Sequence, residues 1–226
     1  MNIVETFLAY SIEQFLTPEE LSWLSRSLQD HVSGCSANSA NALTRGRSIH
    51  SIGGLSLNEC THVYSPKGRT ELEPLPRDIF EFAQSIFDRN LGRIRRSFPS
   101  ARRSVGWTYI GYQQGQFIVP HIDFASDHGV PGTEKVAAIS VALNGNYSGG
   151  EFFIETCSAK ELWNDIGNEL RSDATPNNDW FLSMPKTRWI ARPLEGDALL
   201  VGSRLVHGTL PVIQGVAQKL LGFIMP

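Results

Sequence analysis

The first half of the chain carries apolar positions at helical spacing, and the second half carries them in short runs. Leu21, Leu24 and Leu28 recur at helical intervals behind Thr17-Pro18-Glu19-Glu20. There Thr17 can cap, Pro18 suits the first helical position, and Glu20 can reach back to close a capping box. Ile79, Phe80, Ala83, Ile86, Phe87 and Leu91 form a second stripe, which predicts a helix over about 75–91, ahead of Gly92. From about residue 105 the pattern changes. Apolar runs at 136–143 (VAAISVAL), 152–154 (FFI) and 198–201 (ALLV), and a last one after Gly215, are separated by Gly149-Gly150, Pro193 and Gly196. Runs of that length bounded by glycine and proline read as buried β-strands. The expected fold is mainly β, with N-terminal α-helices that buttress the outside of the larger sheet. No internal repeat or linker divides the sequence. It is read as a single domain over 1–226, with helical support and a substrate loop in 1–104 and the β core in 105–226.

Two segments interrupt this plan and are expected to carry substrate choice. Residues 33–62 are rich in Ser, Asn and Gly and hold Arg45, Arg47 and His50; long aperiodic loops are often functional. The stretch at about 155–190 holds Trp163, Trp180 and Trp189 and reads as an insert between core strands. Its indoles can stack on a substrate or hold the insert against the core. A helix-like piece within it, 159–170, leaves room for a homodimer contact. The basic run over 93–103, with Arg93, Arg95, Arg96, Arg102 and Arg103, is read as a solvated connector.

Composition narrows the partners. The 226 residues suffice for a sizeable core, and a net charge of −3 implies no general affinity for nucleic acid or anionic membrane. No apolar run reaches the ~18 residues of a spanning helix, and the N-terminus shows no signal-peptide pattern. Cys35, Cys60 and Cys157 are scattered and odd in number. They suggest a reducing cytoplasm, without a disulfide framework or a cysteine zinc site.

The chemistry lies in His121-Ile122-Asp123 and, much later, Val206-His207-Gly208. Residues two apart on a strand face the same side, so His121 and Asp123 can grip one ion together. Two imidazoles and one carboxylate make the facial triad that holds Fe(II) and leaves three coordination positions open. His31, His50, His62 and His128 stand in no comparable motif.

The flanks of both halves carry a resemblance. They read WTYIGYQQGQFIVPHID (107–123), the run at 136–144, Gly149-Gly150-Glu151, PLEGDALLV (193–201), HGTLPV (207–212) and Gly215. In this order they resemble the prolyl 4-hydroxylase-like branch of the Fe(II)/2-oxoglutarate dioxygenases, over roughly 107–224. The resemblance implies a double-stranded β-helix (jelly roll, cupin-like), with iron held between its sheets by His121, Asp123 and His207 as metal ligands and catalytic residues. It also implies 2-oxoglutarate as co-substrate, O2, and ascorbate as a reductant. In related halogenases the position of Asp123 is Gly or Ala, so oxygen insertion or desaturation is favoured here.

One position departs from the branch. An Arg or Lys normally stands ten residues after the second histidine and pairs with the distal carboxylate of 2-oxoglutarate. Here that residue is Ala217, and Lys219 follows two places on. Both positions share strand parity, and a lysine stem tolerates the offset. Lys219 is thus the expected anchor, with Arg204 or Arg192 next, and Tyr112 (or else Tyr109) as a hydrogen-bonding partner. The expected activity is hydroxylation or desaturation of an unactivated C–H bond of a small molecule, such as an amino acid or natural-product intermediate. A peptidyl prolyl or amino-acyl hydroxylase is the alternative enzyme. A metal-binding jelly roll without turnover, or an iron oxidase without 2-oxoglutarate, is the alternative of another class.

Overall fold

The computed structural model describes residues 2–34, 44–45, 64–65, 69–123, 134–157 and 186–226. A 3-10 helix (Ile3–Phe7) leads into β1 (Ala9–Ile12) and α1 (Pro18–Gly34). Next come the short strands β2 (Thr44–Arg45), β3 (Tyr64–Ser65) and β4 (Thr70–Leu72), then α2 (Arg77–Ile94). The remaining strands are β5 (Arg103–Tyr112), β6 (Phe117–His121), β7 (Ala137–Ala142), β8 (Ser148–Gly149) and β9 (Phe152–Cys157). They continue with β10 (Lys186–Ala191), β11 (Ala198–Gly202), β12 (His207–Thr209), β13 (Val212–Gln214) and β14 (Ala217–Met225). The loop expected over 33–62, apart from Ser33, Gly34 and β2, lies outside the described residues, as do His62, His128, Trp163, Trp180 and the stretch 159–170. Because β9 and β10 take up both ends of the expected insert, it narrows to 158–185.

The strands form an antiparallel double sheet, the jelly-roll architecture. The major sheet runs β1-β11-β7-β14-β5-β4-β2 and the minor sheet β10-β9-β12-β6-β3, with β13-β8 as a separate ribbon. Among the described residues no helix is long and apolar enough to cross a membrane.

Both helices pack on the outer face of the major sheet. At the start of α1 the expected capping box forms: Thr17 N–H donates to Glu20 Oε2 at 2.8 Å, and Glu20 N–H donates to Thr17 Oγ1 at 3.3 Å. Arg89 of α2 also pairs with Glu20, and its hydrogen bond holds that carboxyl below the usual range. Helix α2 buries Ile79, Ala83, Ile86, Phe87, Asn90 and Ile94. Phe80, expected on this stripe, is 38% exposed at its edge. Gly92 does not end the helix; it faces open space, and Ile94, fully buried, anchors one more turn. A core of Leu24, Leu28, Ile86, Phe87, Trp107 and Ile139 fills the layer between helices and sheet. Each such side chain contributes about 1.5–3 kcal/mol by leaving water.

The basic run 93–103 is largely solvent-exposed, and several of its arginines also hold loop carbonyls. Arg93 donates to the carbonyls of Glu13 (2.6 Å) and Gln14 (3.3 Å), Arg95 to Ala101 (2.8 Å) and Arg102 to Pro99 (3.0 Å). These guanidinium groups satisfy loop carbonyls that have no ladder partner, which fastens α2 to the turns around it.

Candidate metal centre and its flank

In the minor sheet His207 of β12 lies opposite His121 of β6, while Thr209 lies opposite Ile118. Three steps of β6 thus answer two steps of β12, which is a bulge over 119–120. Pro120 has no N–H to offer a ladder and so suits this place. The bulge lets Ile118 pack inward against Ile110 and Tyr112 of the major sheet and still leaves His121 facing His207, ring centres 4.5 Å apart. Gly208 permits the close approach: a Cβ there would stand 2.5 Å from the Phe153 ring and 2.6 Å from the Ile118 carbonyl oxygen.

The three expected ligands converge. Asp123, just beyond the end of β6, places Oδ1 3.7 Å from His121 Nε2 and Oδ2 3.3 Å from His207 Nε2. All three ligand atoms lie within 4.8 Å of one another. Ligands about 2.1 Å from an octahedral ion stand about 3 Å apart, so a small relaxation closes the set on one metal. His207 Nδ1 lies 2.8 Å from the Leu205 carbonyl, which can only accept. Nδ1 therefore carries a proton, and when the ring is neutral the Nε2 lone pair faces the centre. Phe152 stacks on the same ring at 5.3 Å. Burial works against the Asp123 charge, but His207, through its charge and a hydrogen bond, and then His121 and Lys135 outweigh it and hold the carboxyl well below its usual range. For His207 burial opposes protonation, yet Asp123 raises its pKa. An ion would take the place of that shared proton.

Across the sandwich, the inner face of the major sheet sets a few charged side chains among small apolar clusters. In register, Ala217 lies opposite Tyr112, and Lys219 is paired with Ile110 on one side and Ala142 on the other. Ala217 packs inward with Ile110 and Tyr112, and strand parity sends Lys219 the same way. The ammonium stands 5.6 Å from the Tyr112 ring centre and 3.5 Å from Thr209 Oγ1. Burial, then the Arg69 charge, lowers the Lys219 pKa to about 8, with Glu151 opposing.

Arg69 was not anticipated from the sequence. It is 5% exposed, pairs through Nε with Glu71, and donates from Nη1 to the Tyr112 hydroxyl at 2.8 Å. Burial pushes the Glu71 carboxyl up despite this partner. Of the other residues weighed, Tyr109 lies on the opposite face of β5, in the helix-side core. Arg204 lies in the turn before β12, with its backbone N–H on the Thr6 carbonyl at 3.0 Å. Arg192 is exposed and donates to the Tyr147 carbonyl. Trp189, 62% exposed on β10, donates to Thr156 Oγ1 at 3.1 Å.

No family model and no curated protein matches the sequence. Solved structures match the fold. A prolyl-4-hydroxylase from Pseudomonas putida is 12% identical, aligned over 96% of this chain and 91% of its own, with a TM-score of 0.59. A prolyl hydroxylase from Trichoplax adhaerens, in complex with a hypoxia inducible factor peptide fragment, is 13% identical over 96% and 83%, with a TM-score of 0.60. HygX from Streptomyces hygroscopicus, with nickel, 2-oxoglutarate and hygromycin B bound, is 15% identical over 99% and 85%, with a TM-score of 0.57. The fold is that of the 2-oxoglutarate–Fe(II) oxygenases, with prolyl-4-hydroxylases among its neighbours.

Proposed function

We propose that this protein is an Fe(II)- and 2-oxoglutarate-dependent oxygenase that hydroxylates or desaturates an unactivated C–H bond of a small molecule. One observation carries the reading: His121, Asp123 and His207 converge on a point that faces an inward cation, Lys219, on the opposing sheet. Two neutral imidazoles and a carboxylate fit a ferrous ion. Fe(II) bound there supplies dioxygen activation coupled to decarboxylation of the co-substrate to succinate. The chain's own residues do the rest. Leu205 fixes the His207 tautomer, Asp123 stays ionised, Lys219 neutralises the distal carboxylate, and Phe152 covers one imidazole with an apolar ring.

An inward ammonium on the facing sheet has no purpose in a jelly roll that only stores a metal, which supports 2-oxoglutarate use over that alternative. HygX, similar in fold, was solved with hygromycin B, and this supports an amino acid or natural-product intermediate as substrate. The peptide-bound Trichoplax structure keeps peptidyl hydroxylation as the second reading. A reducing cytoplasm suits ferrous iron and three scattered cysteines. Anaerobically purified protein given Fe(II), 2-oxoglutarate and then O2 is expected to form succinate, faster with amino-acid or natural-product mixtures than with prolyl peptides. No succinate from iron-loaded protein under any of these conditions overturns the reading; acceleration by peptides alone favours the second.

A further inference from the structure

Tyr112 is 3% exposed, and its hydroxyl accepts a hydrogen bond from Arg69 Nη1 at 2.8 Å. A phenol has one proton to give, and a guanidinium can only donate. The Tyr112 proton is therefore turned away from Arg69, and among the described residues no acceptor takes it. Arg69 is fixed in turn: its Nε pairs with Glu71, two residues along the same edge, and both side chains are nearly fully buried (5% and 2%). The Arg69 guanidinium carbon lies 5.7 Å from the Tyr112 ring centre and the Lys219 ammonium 5.6 Å from it. The phenol thus stands between a cation paired with a carboxylate and one whose hydrogen-bond partner is the Thr209 hydroxyl.

We propose that Arg69 is a positioning residue for the co-substrate: held by Glu71, it makes the Tyr112 hydroxyl a donor toward the carboxylate that Lys219 binds. The proposal rests on the reading of this site as a 2-oxoglutarate site. Donation by a cation into the phenol oxygen also polarises its O–H, so the bond given onward is stronger than that of an isolated tyrosine. Strand β4, outside the stretch that resembles the oxygenase branch, thereby becomes part of co-substrate recognition.

The test is calorimetric titration of the Mn(II)-loaded chain with 2-oxoglutarate and with 2-oxobutyrate, which lacks the distal carboxylate. Arg69→Met alone strands Glu71, so the change is made as Arg69→Met with Glu71→Leu, leaving no buried charge. This variant and Tyr112→Phe are each expected to bind 2-oxoglutarate about tenfold more weakly. Their 2-oxobutyrate and Mn(II) affinities are expected to stay at wild-type values. The variant with all three changes is expected to lose about tenfold as well, because both perturbations delete one interaction. Arg69→Lys, which keeps a cationic donor, is expected to fall between wild type and the double variant, and it serves as the test where the double variant fails to bind Mn(II). Wild-type 2-oxoglutarate affinity in the Arg69 variants overturns the inference alone, and so does a roughly hundredfold, multiplicative loss in the triple variant. A wild type that does not bind 2-oxoglutarate overturns the functional reading, and this inference with it.

Discussion

Replacing Lys219 by methionine is expected to move stability and co-substrate affinity in opposite directions. Burial and the Arg69 charge lower the ammonium pKa from its ordinary 10.5 to about 8, with Glu151 opposing. At about 1.4 kcal/mol per pH unit, this costs the folded state about 3 kcal/mol. Lys219 keeps some contact with solvent, which reduces the expectation to about 2 kcal/mol. The folded-state pKa lies below the unfolded one, so the cost is complete below about pH 8. Between pH 8 and 10.5 the unfolded chain binds more protons, and wild-type stability rises with pH. Methionine, apolar and of similar length beside Ile110 and Ala142, carries no such cost. The variant is expected to be more stable by about 2 kcal/mol at pH 7 and to lose that advantage toward pH 10.

Binding runs the other way. Removing one partner of a partly desolvated charge pair costs about 2–3 kcal/mol, which is a Kd roughly 30- to 150-fold weaker. The groups that face the ammonium are Arg69 beside β4, Tyr112 on β5, Glu151 before β9 and His207 on β12. Above about pH 8 the wild-type ammonium must regain its proton before it can pair, so affinity is expected to fall about tenfold per pH unit, whereas the variant lacks this component. Urea denaturation at pH 7 and pH 10, with 2-oxoglutarate titrations of Mn(II)-loaded protein from pH 6.5 to 9.5, measures both effects. Unchanged stability and unchanged affinity would identify a solvated lysine and refute the reasoning. A variant less stable than wild type would refute the burial cost.

Three further outcomes follow from the geometry. Gly208→Ala forces a methyl against the Phe153 ring and the Ile118 carbonyl and is expected to cost about 2–3 kcal/mol and weaken Mn(II) binding; wild-type metal affinity and urea midpoint would refute the close approach. Asp123→Asn keeps the shape and removes the charge, so Mn(II) affinity is expected to fall about a hundredfold or more in a metal titration, and a loss below tenfold would remove Asp123 from the ligand set. Thr17→Ala breaks the capping box and is expected to cost about 1 kcal/mol in thermal unfolding; no shift in midpoint would show that Arg89 alone holds Glu20.

The elements legible in the sequence were those whose polarity obeys the usual sense, apolar toward the interior. The stripe of α2 and the cap of α1 could be read directly because helices on the outer face meet an apolar layer. The order of His121, Asp123 and His207 was legible because each stands in its own motif. Arg69 was not. In the segment Arg69-Thr70-Glu71-Leu72 the charged residues face inward and Leu72 faces the helices, so alternation that normally marks a solvated face marks the site. Tyr109 and Tyr112 could not be told apart for a related reason: they stand three positions apart, on opposite faces of a strand, and only the register of β5 against β14 says which face is which. The bulge over 119–120 was hidden too, because an extra residue in β6 is visible only against β12.

The major sheet therefore has two faces with opposite energetic roles. Its outer face carries the large apolar cluster with α1 and α2, while its inner face carries Lys219 and the Arg69–Glu71 pair among smaller clusters. A buried ion pair is weak evidence for stability, and an ammonium with one hydroxyl partner is a cost. Stability must then come chiefly from the helix side, where Phe87 and Ile94 are fully buried. Strands β5 and β14 belong to both faces: Trp107 and Leu220 look to the helices, Tyr112 and Lys219 to the metal centre. Their backbones set how far Tyr112 and Lys219 stand from β12. Cavities on the helix side, such as one left at Trp107, are thus expected to loosen co-substrate binding before they disturb the ligand triad, whose histidines belong to the other sheet.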